Sequence, residues 1–382
     1  MGIKLGNICK FQSGGTPTKK NPAYFNGTIP WITTTALNGR KIGKENAVDW
    51  ISEKAIEESA AKIVPAFSIM VGTRVGIGKV AINTVDMSTS QDIVSLVDID
   101  ESAWNKEFIC KFLQGKSKFL NAQARGATIK GIKIDVLSAL ELPKISIEEQ
   151  IYISKVIDEV KIIINSRKQQ LEKLDKIVKA RFVEMFGDPR SNPFGFPKSM
   201  LKDTCKVVTG NTPPRAAQEY YGDYVEWIKT DNIVPEMINP TKATESLSEE
   251  GIKVGRTVGK NSILMACIAG SIASIGKVCV TDRTVAFNQQ INAVISKEYN
   301  ILFLYVMLQL SKDYLVEEIN MSLKGILSKS KLEEKEFIVP PIDLQEQFAE
   351  FVEQVDKSKD SVKKALDEAQ LLFDSLMQQY FG

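Results

Sequence analysis

The chain has 382 residues, of which 43% are hydrophobic, 25% charged and 8% aromatic, and its 49 basic and 47 acidic residues leave a net charge of +2. This is the composition of a folded, soluble protein with length enough for a core in each half. There is no histidine, which excludes Ser-His-Asp and Cys-His catalysis and every histidine-ligated metal site, and leaves carboxylates, lysines and tyrosines as the general acids and bases. No run approaches 18 apolar residues and the first residues lack the apolar stretch of a secretory signal, so no membrane span is expected and the cytoplasm is the expected location. Five cysteines without a C-x-x-C spacing argue against a disulfide framework and a structural zinc.

In chain order, residues 1–145 read as mixed α and β. Phe67-Ser68-Ile69-Met70-Val71, Lys79-Val80-Ala81-Ile82 and Ile93-Val94-Ser95-Leu96-Val97 are short apolar and β-branched runs between turn residues, the pattern of strands. Trp104 to Leu120 then carries helical spacing. Next, steps of three and four link Ile153, Ile157, Val160, Ile164, Arg167, Leu171, Leu174, Val178, Arg181 and Met185, which predicts one long helix over 146–187 with a coiled-coil seam. Ser146 is placed to cap its start, and Phe186-Gly187-Asp188-Pro189 to stop it. Residues 188–341 repeat the mixed pattern, with helical spacing over Ile301 to Ile319. A second long helix is predicted over 342–382, with Asp343 as its cap and a seam of Leu344, Phe348, Phe351, Val355, Ser358, Val362, Ala365, Ala369, Leu372 and Leu376.

The second half repeats the first. Cys9 and Cys205, Gly14 and Gly210, Thr16 and Thr212, Pro17 and Pro213, and Trp31 and Trp227 all stand 196 residues apart. With small drifts, Gly78-Lys79-Val80 matches Gly276-Lys277-Val278, Gln91 matches Gln289, Lys130-Gly131-Ile132 matches Lys324-Gly325-Ile326, and Glu149-Gln150 matches Glu346-Gln347. A period this long duplicates a whole domain with its helical appendage. The fold class is therefore α+β: two similar mixed domains, 1–145 and 188–341, separated by two long helices. If a pseudo-two-fold axis relates the halves, the helices run antiparallel and pair as a coiled coil about 60 Å long.

Charge is uneven. Residues 1–146 carry 19 basic and 13 acidic side chains, while residues 343–382 carry 4 and 9. That is not the footprint of a strong stand-alone nucleic-acid binder. Three motif-like strings are incomplete. Gly72-Thr73-Arg74-Val75-Gly76-Ile77-Gly78-Lys79-Val80 has Thr73 and Val80 where a phosphate loop needs Gly and a Ser or Thr, so a turn into a strand is expected. Asn211-Thr212-Pro213-Pro214 and Asn192-Pro193-Phe194 are each partial versions of an amino-methyltransferase loop, and Glu333-Glu334-Lys335 is half of a nuclease motif. No catalytic, cofactor or metal residues are assigned.

The order module, long helix, module, long helix resembles the specificity subunit of type I restriction-modification enzymes. The motifs carrying the likeness are Gly15-Thr16-Pro17, Trp31-Ile32 and Ile77-Gly78-Lys79-Val80, then Trp227-Ile228, Ile275-Gly276-Lys277-Val278 and Pro340-Pro341 through Glu346-Gln347. The resemblance spans the chain and departs at the first helix start, where Lys144 stands for Pro341.

That resemblance implies two target-recognition domains, each reading half of an interrupted site in double-stranded DNA. It also implies helices that act as spacer and as docking surface for two modification (methyltransferase) subunits, with restriction and translocase subunits in the full complex. S-adenosylmethionine and ATP would then belong to the partner subunits. Loop side chains suited to base edges are Thr33, Thr34, Thr35, Asn38, Arg40, Arg74, Ser90 and Gln91 in the first module, and Lys229, Thr230, Asp231, Asn232, Arg256, Asn288 and Gln289 in the second. Lys19, Lys20, Arg125, Lys130, Arg215 and Lys324 are the phosphate candidates. Two alternatives remain: a single-chain restriction or modification enzyme with its own recognition domains, and a scaffold that carries two modules for ligands other than nucleic acid.

Overall fold

The computed structural model describes residues 2–126, 130–235, 237–317, 319 and 325–382. The chain divides into two compact units, Met1–Lys168 with Lys364–Gly382, and Gln169–Lys363. Each unit holds one mixed α/β module together with parts of both long helices, Ile147–Phe186 and Ile342–Phe381, which are 40 residues each.

In the first unit a five-stranded sheet runs in the order Lys10–Ser13, Ile93–Val97, Ile69–Gly72, Val80–Asn83 and Lys41–Ile42. A four-stranded sheet beside it has the order Asp49–Ile51, Ile29–Ile32, Met87–Thr89 and Ile63–Val64. The second unit repeats the plan. One of its sheets is ordered Cys205–Thr209, Ile291–Ser296, Ile263–Ala266 and Val278–Val280, and the other Tyr221–Gly222, Ser246–Leu247, Val225–Ile228, Val285–Phe287 and Thr257–Val258. The three runs read as strands from sequence lie at Ile69–Gly72, Val80–Asn83 and Ile93–Val97.

Antiparallel pairing of the long helices is visible inside each unit. In the first, Val160 and Ile164 pack with Leu366, Ala369, Phe373 and Leu376, so early residues of one helix meet late residues of the other. In the second, Val178, Phe182 and Phe186 share a core with Phe348, Val352 and Val355, the converse. Ile153, Ile157, Val160, Ile164 and Val178 are buried, and Leu171, Leu174 and Met185 are half-buried. On the second helix Phe348, Val355, Val362 and Ala369 are buried, and Leu344, Phe351, Ala365 and Leu376 half-buried.

One seam assignment changes, and two residues join the seam. Leu372 is 50% exposed, and its neighbour Phe373 packs inward in its place. A straight α-helix at 3.6 residues per turn drifts off a 3.5-residue seam, so the inward face moves by one position toward the end of a long stripe. The same drift brings in Phe182 and Phe186, both fully buried and absent from the predicted stripe.

Each helix pair is locked to its module by an equivalent set of contacts, and their spacing is 195. Phe186 meets Phe303 at 4.9 Å between ring centroids, and Phe381 meets Phe108 at 5.2 Å. Phe186 and Phe381, equivalent residues of the two long helices, are thus anchors to the modules. Gln150 is fully buried; its Oε1 accepts the Asn105 N–H (2.9 Å), and its Nε2 donates to Ala103 O (3.0 Å) and Ile145 O (3.2 Å). The residue that does this in the second unit is Gln345, whose Oε1 accepts the Asn300 N–H at 2.9 Å and whose Nε2 donates to Pro340 O at 2.8 Å. The repeated Glu-Gln pairs of the sequence therefore misalign by two residues, and Gln347 is exposed. Asp343 likewise lies inside the first turn; the Pro341 carbonyl accepts the first helical N–H groups, whereas Ser146 Oγ caps as expected, accepting the Glu149 N–H at 3.2 Å.

Replacing Gln150 by Ala removes the side-chain partner of three backbone groups, Asn105 N–H, Ala103 O and Ile145 O, and is expected to destabilise the first unit by about 1–3 kcal/mol. Gln347→Ala should change stability by less than about 0.5 kcal/mol. Denaturant unfolding of both variants tests the 195-residue correspondence, because the sequence alignment predicts equal losses.

Candidate nucleic-acid interface

Two parallel strand pairs build the candidate interface. Trp31 and Ile32 pair in parallel with Ser88 and Thr89, and Trp227 and Ile228 with Ala286 and Phe287. Parallel neighbours end at the same edge, so the loops after them, Thr33–Thr35 beside Ser90-Gln91 and Lys229–Asn232 beside Asn288-Gln289, emerge together. The Ser90 N–H donates to Ile32 O (2.9 Å) and the Asn288 N–H to Ile228 O (3.1 Å), which ties each pair of loops at its base.

A third loop, the Gly-Thr-Pro entry, joins them. The Gly14 N–H reaches Ile93 O at 3.0 Å and the Gly210 N–H reaches Ile291 O at 2.9 Å. A Cβ on Gly14 would lie 2.2 Å from Ser90 O, and one on Gly210 would lie 2.2 Å from Asn288 O, so only glycine allows this approach. Past the glycines the Gln91 N–H donates to Thr16 Oγ1 at 3.4 Å, and Thr212 Oγ1 donates to Gln289 Oε1. Trp31 and Trp227 lie beneath the loops, 5% and 2% exposed, as core rather than as open platforms. Trp31 Nε1 donates to Gly15 O at 3.1 Å.

The base-reading candidates divide by exposure. Thr35, Asn38, Arg40, Arg74 and Gln91 are exposed in the first unit, and Asp231, Arg256 and Gln289 in the second; Thr33, Lys229 and Thr230 are half-buried. Thr34, Ser90, Asn232 and Asn288 are corrected, because all four are buried. Asn232 commits its amide to the loop itself, accepting the Lys229 N–H (3.0 Å) and donating to Thr241 Oγ1 (3.1 Å) and Lys242 O (3.2 Å). Asn288 is tied to Gln290 in the same way. Thr34 and Ser90 are enclosed by the fold, and the two asparagines shape the loops. Asparagine and serine are frequent in tight turns for that reason, which is why polarity alone misassigned them.

The exposed candidates do not form one group. Thr73 bonds Asp92 O through its N–H (2.8 Å) and its Oγ1 (3.2 Å), which places Arg74 next to the Gln91 loop. Ile132 N–H donates to Thr73 O and Arg125 bridges Gly131, so Arg125 and Lys130 gather on the same side. Asn38 and Arg40 instead line a cleft against the long helices with Lys79, Gln114, Asp158 and Lys161. There Lys161 donates to Gln114 Oε1 at 2.8 Å, and burial, then the charge of Lys111, lowers its pKa. Lys19, Lys20 and Arg215 are exposed, and Lys324 lies outside the described residues.

The sequence reading missed the acids. Lys19 Nζ lies 3.9 Å from Asp49, and Arg215 Nη1 lies 2.6 Å from Glu245 Oε2. Asp49 and Glu245 stand 196 apart, the offset of the tryptophans, and that coincidence was the available signal.

Motif strings resolve as structure. Gly78 N–H bonds back to Gly72 O and Lys79 N–H to Gly76 O, a turn with Gly76 and Gly78 at φ of 70° and 78° that feeds the strand at Val80. Asn192 brackets the Phe196 backbone and Asn211 brackets Val254 and Arg256. Lys335 is buried, paired with Glu317 at 3.3 Å and set over the Tyr314 ring at 4.3 Å. Cys110, Cys205, Cys267 and Cys279 are buried fillers; burial pushes the Cys267 and Cys279 thiols up to about 12 and Cys205 to about 11. Among the described residues no group of three or more His, Cys, Asp or Glu could hold a metal, and no helix is long and apolar enough to cross a membrane.

Gly210→Ala should destabilise the second unit by about 1–3 kcal/mol, the cost of overpacking. Thermal unfolding compared with Gly259→Ala, where a Cβ meets nothing within 4 Å, isolates the steric term.

Sequence and structure comparisons agree with this duplication. The profile of the type I restriction modification DNA specificity domain matches residues 2–175 and again 194–370. The chain is 27% identical over 379 residues to the type I restriction enzyme MjaIX specificity subunit of Methanocaldococcus jannaschii, covering 92% of this chain and 85% of that one. It is 28% identical over 173 residues to the EcoR124I/EcoR124II specificity subunit of Escherichia coli, covering 42% of this chain and 41% of that one. In fold it is similar to the type I restriction-modification S subunit from M. genitalium, with a TM-score of 0.61 at 15% identity over 100% of this chain and 96% of the other. A chain from a type I R-M system gives 0.66 at 14% identity, covering 100% and 97%.

Proposed function

We propose that this chain, which belongs to the type I restriction-modification DNA specificity family and is a DNA-recognition subunit, reads one half of an interrupted duplex site with each of its two modules. The observation that carries the reading is the repeated three-loop edge: Gly14 and Gly210 make the same backbone contacts, and Thr16 meets Gln91 where Thr212 meets Gln289, through a backbone N–H in the first unit and a side-chain amide in the second. Two copies of one reading surface on a single chain fit a two-part target. Half-sites about one helical turn, roughly 34 Å, apart lie on one side of the duplex.

The chain works with other subunits of its restriction-modification system and binds DNA. Two modification subunits dock on the long helices, supply S-adenosylmethionine chemistry and share the electrostatic contact with phosphate; restriction and translocase subunits use ATP. The recognition chain itself is not catalytic, and it works in the cytoplasm. A net charge of +2 supports this division, because a duplex-binding surface that acted alone would carry a stronger positive excess. Arg74, Gln91, Arg256 and Gln289 are the proposed base readers, and Lys19, Lys20, Arg125 and Lys130 the phosphate contacts.

Transfer of labelled methyl groups from S-adenosylmethionine to DNA tests the division of labour. The purified chain should give no transfer, and addition of modification subunits should give transfer at one bipartite sequence. Robust transfer by the chain alone overturns it. The helices are proposed to set the spacing between half-sites. Inserting four residues on the exposed side of 160–180 should change the tolerated spacer and leave both half-sites intact, as read by mapping methylated sites; altered half-sites with a constant spacer would reject the spacer role.

A further inference from the structure

Arg215 is held more tightly than an exposed phosphate contact requires. Its backbone sits in a loop stiffened by Pro213 and Pro214. The Tyr221 hydroxyl donates to Pro213 O (2.6 Å), the Ala217 N–H to Pro214 O (3.1 Å), and Gln218 Nε2 to Arg215 O itself (3.0 Å). The guanidinium lies 4.8 Å from the Tyr221 ring centroid and 4.9 Å from that of Trp227. Its Nη1 donates to Glu245 Oε2 at 2.6 Å. The other Glu245 oxygen accepts from Lys229 Nζ, which lies 5.1 Å over Trp227. The hydrogen bonds from Arg215 and then Lys229 hold the Glu245 carboxyl below the usual carboxylate range, so it stays anionic. Among the described residues neither Nε nor Nη2 of Arg215 has a protein acceptor, and the side chain is 55% exposed.

A phosphate contact needs charge within reach, and a mobile lysine provides it. Orienting the plane of a guanidinium serves a different end: a flat fork with one edge fixed and the other open matches the O6 and N7 acceptors of guanine in the major groove. An exposed ion pair adds little to stability, so fold maintenance is a weak reason for the arrangement. The first unit gives the contrast. At the equivalent positions Lys19 and Asp49 are 3.9 Å apart, and Lys19 is 78% exposed: charge without a fork.

We propose that Arg215 is a specificity-determining residue that reads a guanine in the half-site of the second unit, with Glu245 as its positioning residue. This moves Arg215 from the phosphate set to the base-reading set, and it rests on the DNA-reading function proposed above.

The test is selection from a duplex library with randomised half-sites by the full chain assembled with its modification subunits, followed by sequencing. Wild type should retain a bipartite motif. Arg215→Ala should lose preference at one G·C pair of one half-site by roughly tenfold to a hundredfold and leave the other half-site and the spacer unchanged. Arg215→Lys, which keeps the charge, should lose the same pair, and Glu245→Gln should weaken preference at that pair alone. Lys20→Glu should lower retention of all sequences alike. If Arg215→Ala keeps every preference and only reduces binding, with a shallower salt dependence that Arg215→Lys restores, Arg215 is a phosphate contact and the proposal falls. An unchanged motif with only a lower melting temperature overturns it equally, and Arg215→Lys decides should the alanine variant not fold. A wild-type complex that selects no motif overturns the DNA-reading function itself, a result distinct from a motif that Arg215 does not affect.

Discussion

Two strands that run side by side in the same direction deliver the chain to the same edge, and each module uses this once at its reading surface. Trp31-Ile32 beside Ser88-Thr89, and Trp227-Ile228 beside Ala286-Phe287, bring together loops that are more than 50 residues apart in sequence. The buried tryptophans fix the depth of the pair, and the glycines at 14 and 210 admit a third loop to within the reach of a hydrogen bond. Exposed loop side chains without such contacts, Arg74 and Asp231 among them, can vary, because the backbone hydrogen bonds that hold the loops do not depend on them.

The helices answer a different need. A module whose inner helix, Lys106–Gly115 or Ile301–Leu310, is nearly all buried needs cover on its far side, and the long helices provide it. Phe381 against Phe108 and Phe112, and Phe186 with Phe348 against Phe303, place aromatic rings where helix pair and module meet. Burial of such rings supplies much of the stabilisation, while the buried glutamines Gln150 and Gln345 set register by accepting the N–H that opens the region of each inner helix. Apolar contact alone would tolerate a slip of the helix along the module; a buried amide with its partners in place does not.

Much of this was legible in the sequence. The duplication, the two long helices, the antiparallel seam and the strands at 69–72, 80–83 and 93–97 follow from apolar periodicity and a constant offset. The errors have physical causes. Leu372 was placed in the seam because a strict 3-4 stepping ignores the drift of a long helix, and Phe373 took the inward position. Gln347 was matched to Gln150 because identity of a dipeptide outweighed the count of residues from Asn105 to Gln150 and from Asn300 to Gln345, which is 45 in both units. Side-chain type says what Thr34, Ser90, Asn232 and Asn288 can bond, but not that the fold buries all four, nor that the loops already use the two asparagines. The acids Asp49 and Glu245 went unnoticed since a search for groups that meet DNA looks for cations and amides.

That last omission shows how a duplicated scaffold diverges in the side chains it presents. Both units hold a cation and an acid at the same offset, with the acid's backbone beside a buried tryptophan, yet the chemistry differs. Lys19 with Asp49 is a loose pair of point charges; Arg215 with Glu245 is a planar donor set whose guanidinium lies close to the Tyr221 and Trp227 rings, and Lys229 reinforces the acid. Where the first unit has Phe25 and Thr33, the second has Tyr221 and Lys229 at the same 196-residue offset, so three substitutions around one acid separate the two environments. None of them touches the hydrogen bonds that tie the loops at their base. A module can therefore exchange the side chains it presents over a fixed set of backbone contacts, and two modules descended from one can offer different chemistry at the same edge without either losing its fold.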